Sequence, residues 1–318
     1  MDLQQRARTI IETNLALQPG ETLLVVTDDP TREVGELFYE AARAMDHRAL
    51  IMQMPEGSVA GEEPPAPVAA AMKAADVALC PTAKSITHTN ARIKAAAAGT
   101  RVVTMPGITM DMLRDGAACA DYDQVERRTR QLTERLTHAK HARIEKDGHV
   151  LELALTGRDG VASPGVYREP GASGNFPSGE AYIAPLEDGA NGTAVIDGSM
   201  VGIGTLTEPM TVTIRTNRTP HAHRRRRRAG PLRRTPERAV RQPENGTIAE
   251  LGIGTNEAAK LCGIILEDEK LYGTVHIAFG TNTSFGGITK ADCHLDGIIL
   301  NPTLYLDDEC VIRKGEFL

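Results

Sequence analysis

Five acids and imidazoles in the second half of the chain have the types and spacing for chemistry. Glu180 lies in NFPSGEAYIAP (175–185), Glu250 in TIAELGIGTN (247–256), His276 in VHIAFG (275–280), and His294 and Asp296 in HLDG (294–297). Mixed carboxylate and imidazole is the donor set of divalent zinc, cobalt, manganese or iron. His294 and Asp296 stand at i and i+2, so on a strand both point to one face, where they can hold one ion or share two. Glu250 is flanked by Ile248, Ala249, Leu251 and Ile253, and His276 by Val275 and Ile277. A charge in such an apolar run is costly to bury unless it is paired or bound to an ion. Singly, each residue has an ordinary reading: Glu180 as a strand-end acid after the turn Pro177-Ser178-Gly179, His276 as a hydrogen-bonded core imidazole. Together they predict a metal site.

The elements that must carry these residues fall into two regions. Helical spacing over 2–16 and 31–45, and again over 66–74 and 88–98, alternates with apolar strand runs at 22–28, 48–54, 76–82 and 100–107. Strands alternating with helices predict an α/β fold, a doubly wound, mostly parallel sheet covered on both faces. No GxGxxG follows the first strand, so no dinucleotide fingerprint is present. SITHTNAR (85–92) opens a helix, either capping it or binding an anion at its N-terminus. A polar helix over about 121–143 follows. From Gly148 onward, short Gly-punctuated runs (HVLELALTG, GEAYIAPLEDG, GTAVIDGSMVG, TVTIR) predict a β-rich α+β metal-binding domain, ending in a hairpin around Asp307-Asp308. The expected division is 1–143 and 144–318.

Bulk properties narrow the function. The 318 residues are 41 % hydrophobic and 25 % charged, as in an ordinary globular protein. A formal net charge of −6 excludes a generic polyanion binder, and the absence of Trp with 3 % aromatics excludes a stacking platform for nucleic acid. No apolar run reaches the ~20 residues of a membrane span, and MDLQQRARTIIETNL has no signal-peptide core. Five widely spaced Cys without a CxxC read as free thiols, with Cys80 and Cys262 expected in the core. The expectation is a cytoplasmic protein with a peptide or small-molecule substrate and neither membrane nor nucleic-acid partner.

One segment stands apart. Residues 215–241 contain 11 Arg, no Lys and a single acid, Glu237. Three readings are open: a basic loop for phosphates or nucleic acid, a solvated loop, or a compensated frameshift in a GC-rich gene.

The order GEAYIAP, AEL, HIAFG, HLD resembles the aminopeptidase T / aminopeptidase S family of metallopeptidases, related to the thermophilic-type leucyl aminopeptidases. The resemblance spans the C-terminal half and extends more weakly to SITHTNAR and the N-terminal domain. It implies a usually dimeric metallo-aminopeptidase with two ions (cobalt, zinc or manganese). Glu180 would bridge them, with Glu250, His276, His294 and Asp296 as further ligands. ILEDEK (265–270) is similar to an acidic stretch of that family, so Glu269 or Glu267 would be an extra catalytic acid. Where the family has a Tyr seven residues after the His of HIAFG, this chain has Thr283; losing an oxyanion donor costs about 10²–10³ in rate. Ser284, Tyr182 and Tyr272 are the other candidates for that role. The family's relatives include 2,5-dihydroxypyridine 5,6-dioxygenase, which implies an alternative, a ring-cleaving dioxygenase with one Fe(II) held by His276, His294 and Asp296; a further alternative is an inactive metal-binding relative.

Overall fold

The structure, a computed structural model, describes residues 2–215, 221–222 and 242–318. The Arg-rich segment therefore lies outside the described residues except for Arg215 and the backbone of 221–222. The chain packs as two units: Met1–Glu126 with Ser163–Ser178, and Arg127–Ala162 with Gly179–Leu318.

In the first unit, five strands form a parallel sheet in the order Arg48–Met54, Thr22–Asp28, Val77–Thr82, Arg101–Pro106, Ser173–Asn175. Strand Val77–Thr82 is buried throughout and Thr22–Asp28 almost so, as apolar runs covered on both faces require. The helices between them are Leu3–Thr9, Arg32–Ala44, Ala66–Ala74 and Asn90–Ala97. SITHTNAR performs the capping role: Thr89 accepts from the Arg92 amide at 3.3 Å. Glu63 accepts from the Asn90 and Ala91 amides, occupying the helix N-terminus with a carboxylate of the chain itself.

The second unit is built from two antiparallel sheets. The eight-stranded one runs His221–Ala222, Met210–Ile214, Ala190–Ile196, His149–Ala154, His141–Lys146, Thr303–Leu306, Glu309–Arg313, Glu316–Phe317. The seven-stranded one runs Gly204–Thr205, Ser199–Met200, His294–Ile299, Val275–Gly280, Ile248–Gly254, Glu180–Ile183, Val161–Ser163. Apolar side chains of both sheets join one core, among them Ile144, Leu151, Ile196 and Leu304 from the first and Ile183, Leu251, Ile277 and Ile299 from the second. The fold class is thus the expected one, a parallel α/β unit and a β-rich unit.

Two local expectations are corrected. Helix Tyr122–His138 stops short of 143, and His141–Lys146 is a strand. Its Ala142 and Ile144 pair with Leu306 and Leu304 and enter the core, so ladder pairing overrides the helical reading of a basic run. Cys80 is buried, its thiol pushed up to about 12 by burial, but Cys262 is exposed beside Gly263, whose φ of +84° turns the loop outward. The hairpin at Asp307 forms as expected. Among the described residues no helix is long and apolar enough to cross a membrane.

Candidate metal centre

The seven-stranded sheet sorts its residues by face. Ile248, Leu251 and Ile253 go to the core on one strand, and Val275, Ile277 and Phe279 on the next. The opposite face then receives Glu250, His276, His294 and Asp296, because side chains alternate along a strand. A register shift between Ile248 and Glu250 lets both Ile248 and Leu251 face inward. Pairing sets the neighbours: Gly252 opposite His276, Ala278 opposite Asp296, Gly280 opposite His294, and Gly254 opposite Glu180.

Two glycines make the floor. A Cβ at Gly252 would lie 2.0 Å from His276 Nε2, so the imidazole lies directly on the bare backbone. A Cβ at Gly254 would lie 2.0 Å from the Leu271 carbonyl oxygen. That absence lets the segment after the short helix Ile265–Asp268 lie against the strand, where the Asn256 amide donates to the Lys270 carbonyl at 2.9 Å.

The donor atoms converge. His276 Nε2 is 3.3 Å from Glu250 Oε1 and 3.4 Å from Glu180 Oε2. His294 Nε2 is 3.3 Å from Glu250 Oε2 and 3.4 Å from Asp296 Oδ1. Three sets of potential ligand atoms lie within 4.8 Å of one another: Glu180–Glu250–His276, Glu250–His294–Asp296 and Glu269–His276–Asp296. His294 Nδ1 is 2.8 Å from the Thr281 carbonyl oxygen, a contact that places the proton on Nδ1 and leaves Nε2 free to ligate. Glu180 Oε2 is buried and accepts no hydrogen bond. A buried carboxylate oxygen without a hydrogen bond beside the His276 imidazole, in a mixed nitrogen and oxygen donor set, fits a divalent cation.

The sequence reading missed Lys270. It is fully buried, with Nζ 2.6 Å from Glu180 Oε1 and in close contact with Glu269 Oε1. Its signal was a lysine closing the acidic run ILEDEK just before an apolar strand. Of the acids in that run, Glu269 faces the cluster. Glu267 accepts from the Lys260 amide, and Asp268 ties down Ser199, Cys262 and Gly263. Thr283 is exposed on the loop after the His276 strand. Phe285, also unforeseen, stands edge-on to both Tyr182 and His294, at ring distances of 5.4 and 6.0 Å.

Burial and charge compete at each titrating group. Burial opposes ionisation of Glu250, but His276 and His294 outweigh it and hold the carboxyl at about 2. Burial likewise opposes charge on the imidazoles. Glu250 and Glu180 nevertheless raise His276 to about 9, and Asp296 and Glu250 raise His294 to about 12. Burial lifts Glu269 to about 8, against the pull of Lys270 and with the repulsion of Glu180 and Asp296. Lys270 is raised: Glu180 and Glu269 overcome its burial.

A separate cavity of about 240 Å³ in the first unit is lined by Asp28, Glu62, Glu63, Lys84 and Ile86 among others. Its carboxylates Asp28, Glu62 and Glu63 already accept backbone amides, so it offers no comparable donor set.

A family model described as 2,5-dihydroxypyridine 5,6-dioxygenase matches residues 8–318. The curated 2,5-dihydroxypyridine 5,6-dioxygenase of Pseudomonas putida KT2440 is 28 % identical over 172 residues, 49 % of this chain and 47 % of that protein. The chain thus spans about half the length of that curated relative. The solved structure of 2,5-dihydroxypyridine dioxygenase from the same organism superposes with a TM-score of 0.80 at 20 % identity, covering 99 % of this chain and 96 % of that one. Wild-type AmpT from Thermus thermophilus superposes with a TM-score of 0.70 at 15 % identity, covering 99 % and 98 %. At these identities the two structural likenesses speak for fold alone.

These findings correct the expectation of a metallo-aminopeptidase. The family model and the curated relative are dioxygenases, hence oxidoreductases and not hydrolases, and the likeness to AmpT is one of fold. The reading as a hydrolase or protease falls with it.

Two outcomes are expected from this geometry. Gly252→Ala pushes His276 out of its seat, destabilising the fold by about 1–3 kcal/mol and weakening divalent-ion binding on the order of 10–100-fold; thermal melts and metal titration read both. Without an ion the raised His276 favours its charged form, which stabilises the fold below pH 6.5 and loses that contribution as pH rises through about 9. An ion needs neutral Nε2, so binding must release protons and tighten as pH rises from 6 to 9. Calorimetry in buffers of different ionisation enthalpy checks this, and a buffer-independent heat would contradict it.

Proposed function

The chain belongs to the 2,5-dihydroxypyridine 5,6-dioxygenase family, and on that premise we propose that it is a non-haem iron dioxygenase that opens a dihydroxylated pyridine ring. The observation that carries the reading is the convergence of two imidazoles and an aspartate on one sheet face. Asp296, like Glu250, is shared by a set containing His294 and a set containing His276. Two His and one carboxylate suit ferrous iron with positions left open. The residues that would hold it are His276, His294 and Asp296, with Glu250 between the imidazoles. A ferrous ion held there would supply the redox chemistry of a ring-cleaving dioxygenase.

The chain's own groups do the rest. The Thr281 carbonyl fixes the tautomer and orientation of His294. Phe285 and Tyr182 form an aromatic wall next to His294, apolar enough to pack a planar heterocycle and exclude water. Glu250 is placed to accept the proton of a ring hydroxyl. Glu269, grouped with His276 and Asp296, is placed to return a proton to the opened product. Five free thiols support a reducing compartment, the cytoplasm.

Anaerobic reconstitution with ferrous iron, followed by 2,5-dihydroxypyridine and air, is the test. Loss of ring absorbance with matched oxygen uptake is expected, and neither is expected from His294→Ala. Iron binding without turnover of any dihydroxypyridine would sink the substrate assignment, and absence of iron binding would sink the centre. Phe285→Ala is expected to raise KM roughly 3–10-fold with less change in kcat.

A further inference from the structure

The site carries more potential metal ligands than one ion uses. Glu180, Glu250, Glu269, Asp296, His276 and His294 form three overlapping sets, enough donors for two neighbouring ions. Lys270 divides those sets unequally. Its ammonium holds Glu180 at 2.6 Å and also contacts Glu269. Glu180 belongs to the first set and Glu269 to the third. The set Glu250–His294–Asp296 is the one from which Lys270 takes no carboxylate. Two of the three places for a cation are therefore already served by a cation that belongs to the chain.

We propose that Lys270 acts as a built-in second cation, so that this site takes one divalent ion where its ligand count would admit two. The inference rests on the metal centre proposed above. Lys270 is fully buried, and its segment is seated by the bare backbone of Gly254, so the ammonium is fixed in place. Without Lys270, Glu180 and Glu269 would be bare carboxylates beside His276, the donor set a second ion requires.

Lys270→Met removes the charge and keeps an unbranched side chain one atom shorter. Metal content by elemental mass spectrometry and cobalt absorption spectra are measured on wild type, Lys270→Met and the double variant Lys270→Met/Glu180→Gln. Wild type is expected to hold one cobalt, Lys270→Met to take up a second with a new absorption band, and the double variant to return to one. Should Lys270→Met be recovered unfolded, recovery of its fold on adding cobalt is the same result, and no recovery overturns the proposal. A folded Lys270→Met that still holds one ion overturns it, as does a wild type that holds two. A wild type that binds no ion while His294→Ala is unchanged removes the metal centre itself, and the proposal with it.

Discussion

Carboxylates and imidazoles crowded on one face of a buried sheet cannot stand without positive charge among them. Four carboxyl groups within a few ångströms would repel one another in a medium that screens poorly. Lys270 answers part of that demand from inside the chain, and a bound ion would answer more of it. Much of the second unit serves the ammonium's position. The glycine at 254 admits its backbone, the short helix Ile265–Asp268 delivers it, and Asp268 anchors that helix to Ser199 and the 262–263 turn. The apolar faces of the same strands hold the arrangement rigid by entering the core shared with the eight-stranded sheet.

The sheet strands were legible because each announces its face by alternation. Glu250 and His276 break apolar runs, and His294 and Asp296 sit two apart; such patterns have one reading on a strand. The parallel sheet was equally plain from strands and helices in turn. What escaped notice depends on contacts between distant segments. Lys270 has an ordinary sequence context, and its meaning arises only when a loop folds back against Gly254. Phe285 lies in a Gly-rich loop with no periodicity to place it. The run His141–Lys146 looked helical by composition and became a strand because two partners with matching ladders were available.

The likeness to aminopeptidases and the membership in a dioxygenase family are compatible once scaffold and chemistry are separated. The fold is common to both solved structures. What the ligands alone do not reveal is how many ions they hold and what meets those ions. A hydrolytic reading took the ligand count at face value. The lysine beside those ligands and the aromatic wall over them argue for fewer ions and a flat, apolar guest.

The two imidazoles also differ in access. His276 is sealed beneath its neighbours on a bare backbone floor, while the His294 side chain retains 30 % of its exposure at the foot of the 281–293 loop. The site therefore has a front door and a back wall. The exposed imidazole stands edge-on to Phe285, so a bound ion would meet solvent beside that ring and meet only protein on the His276 side.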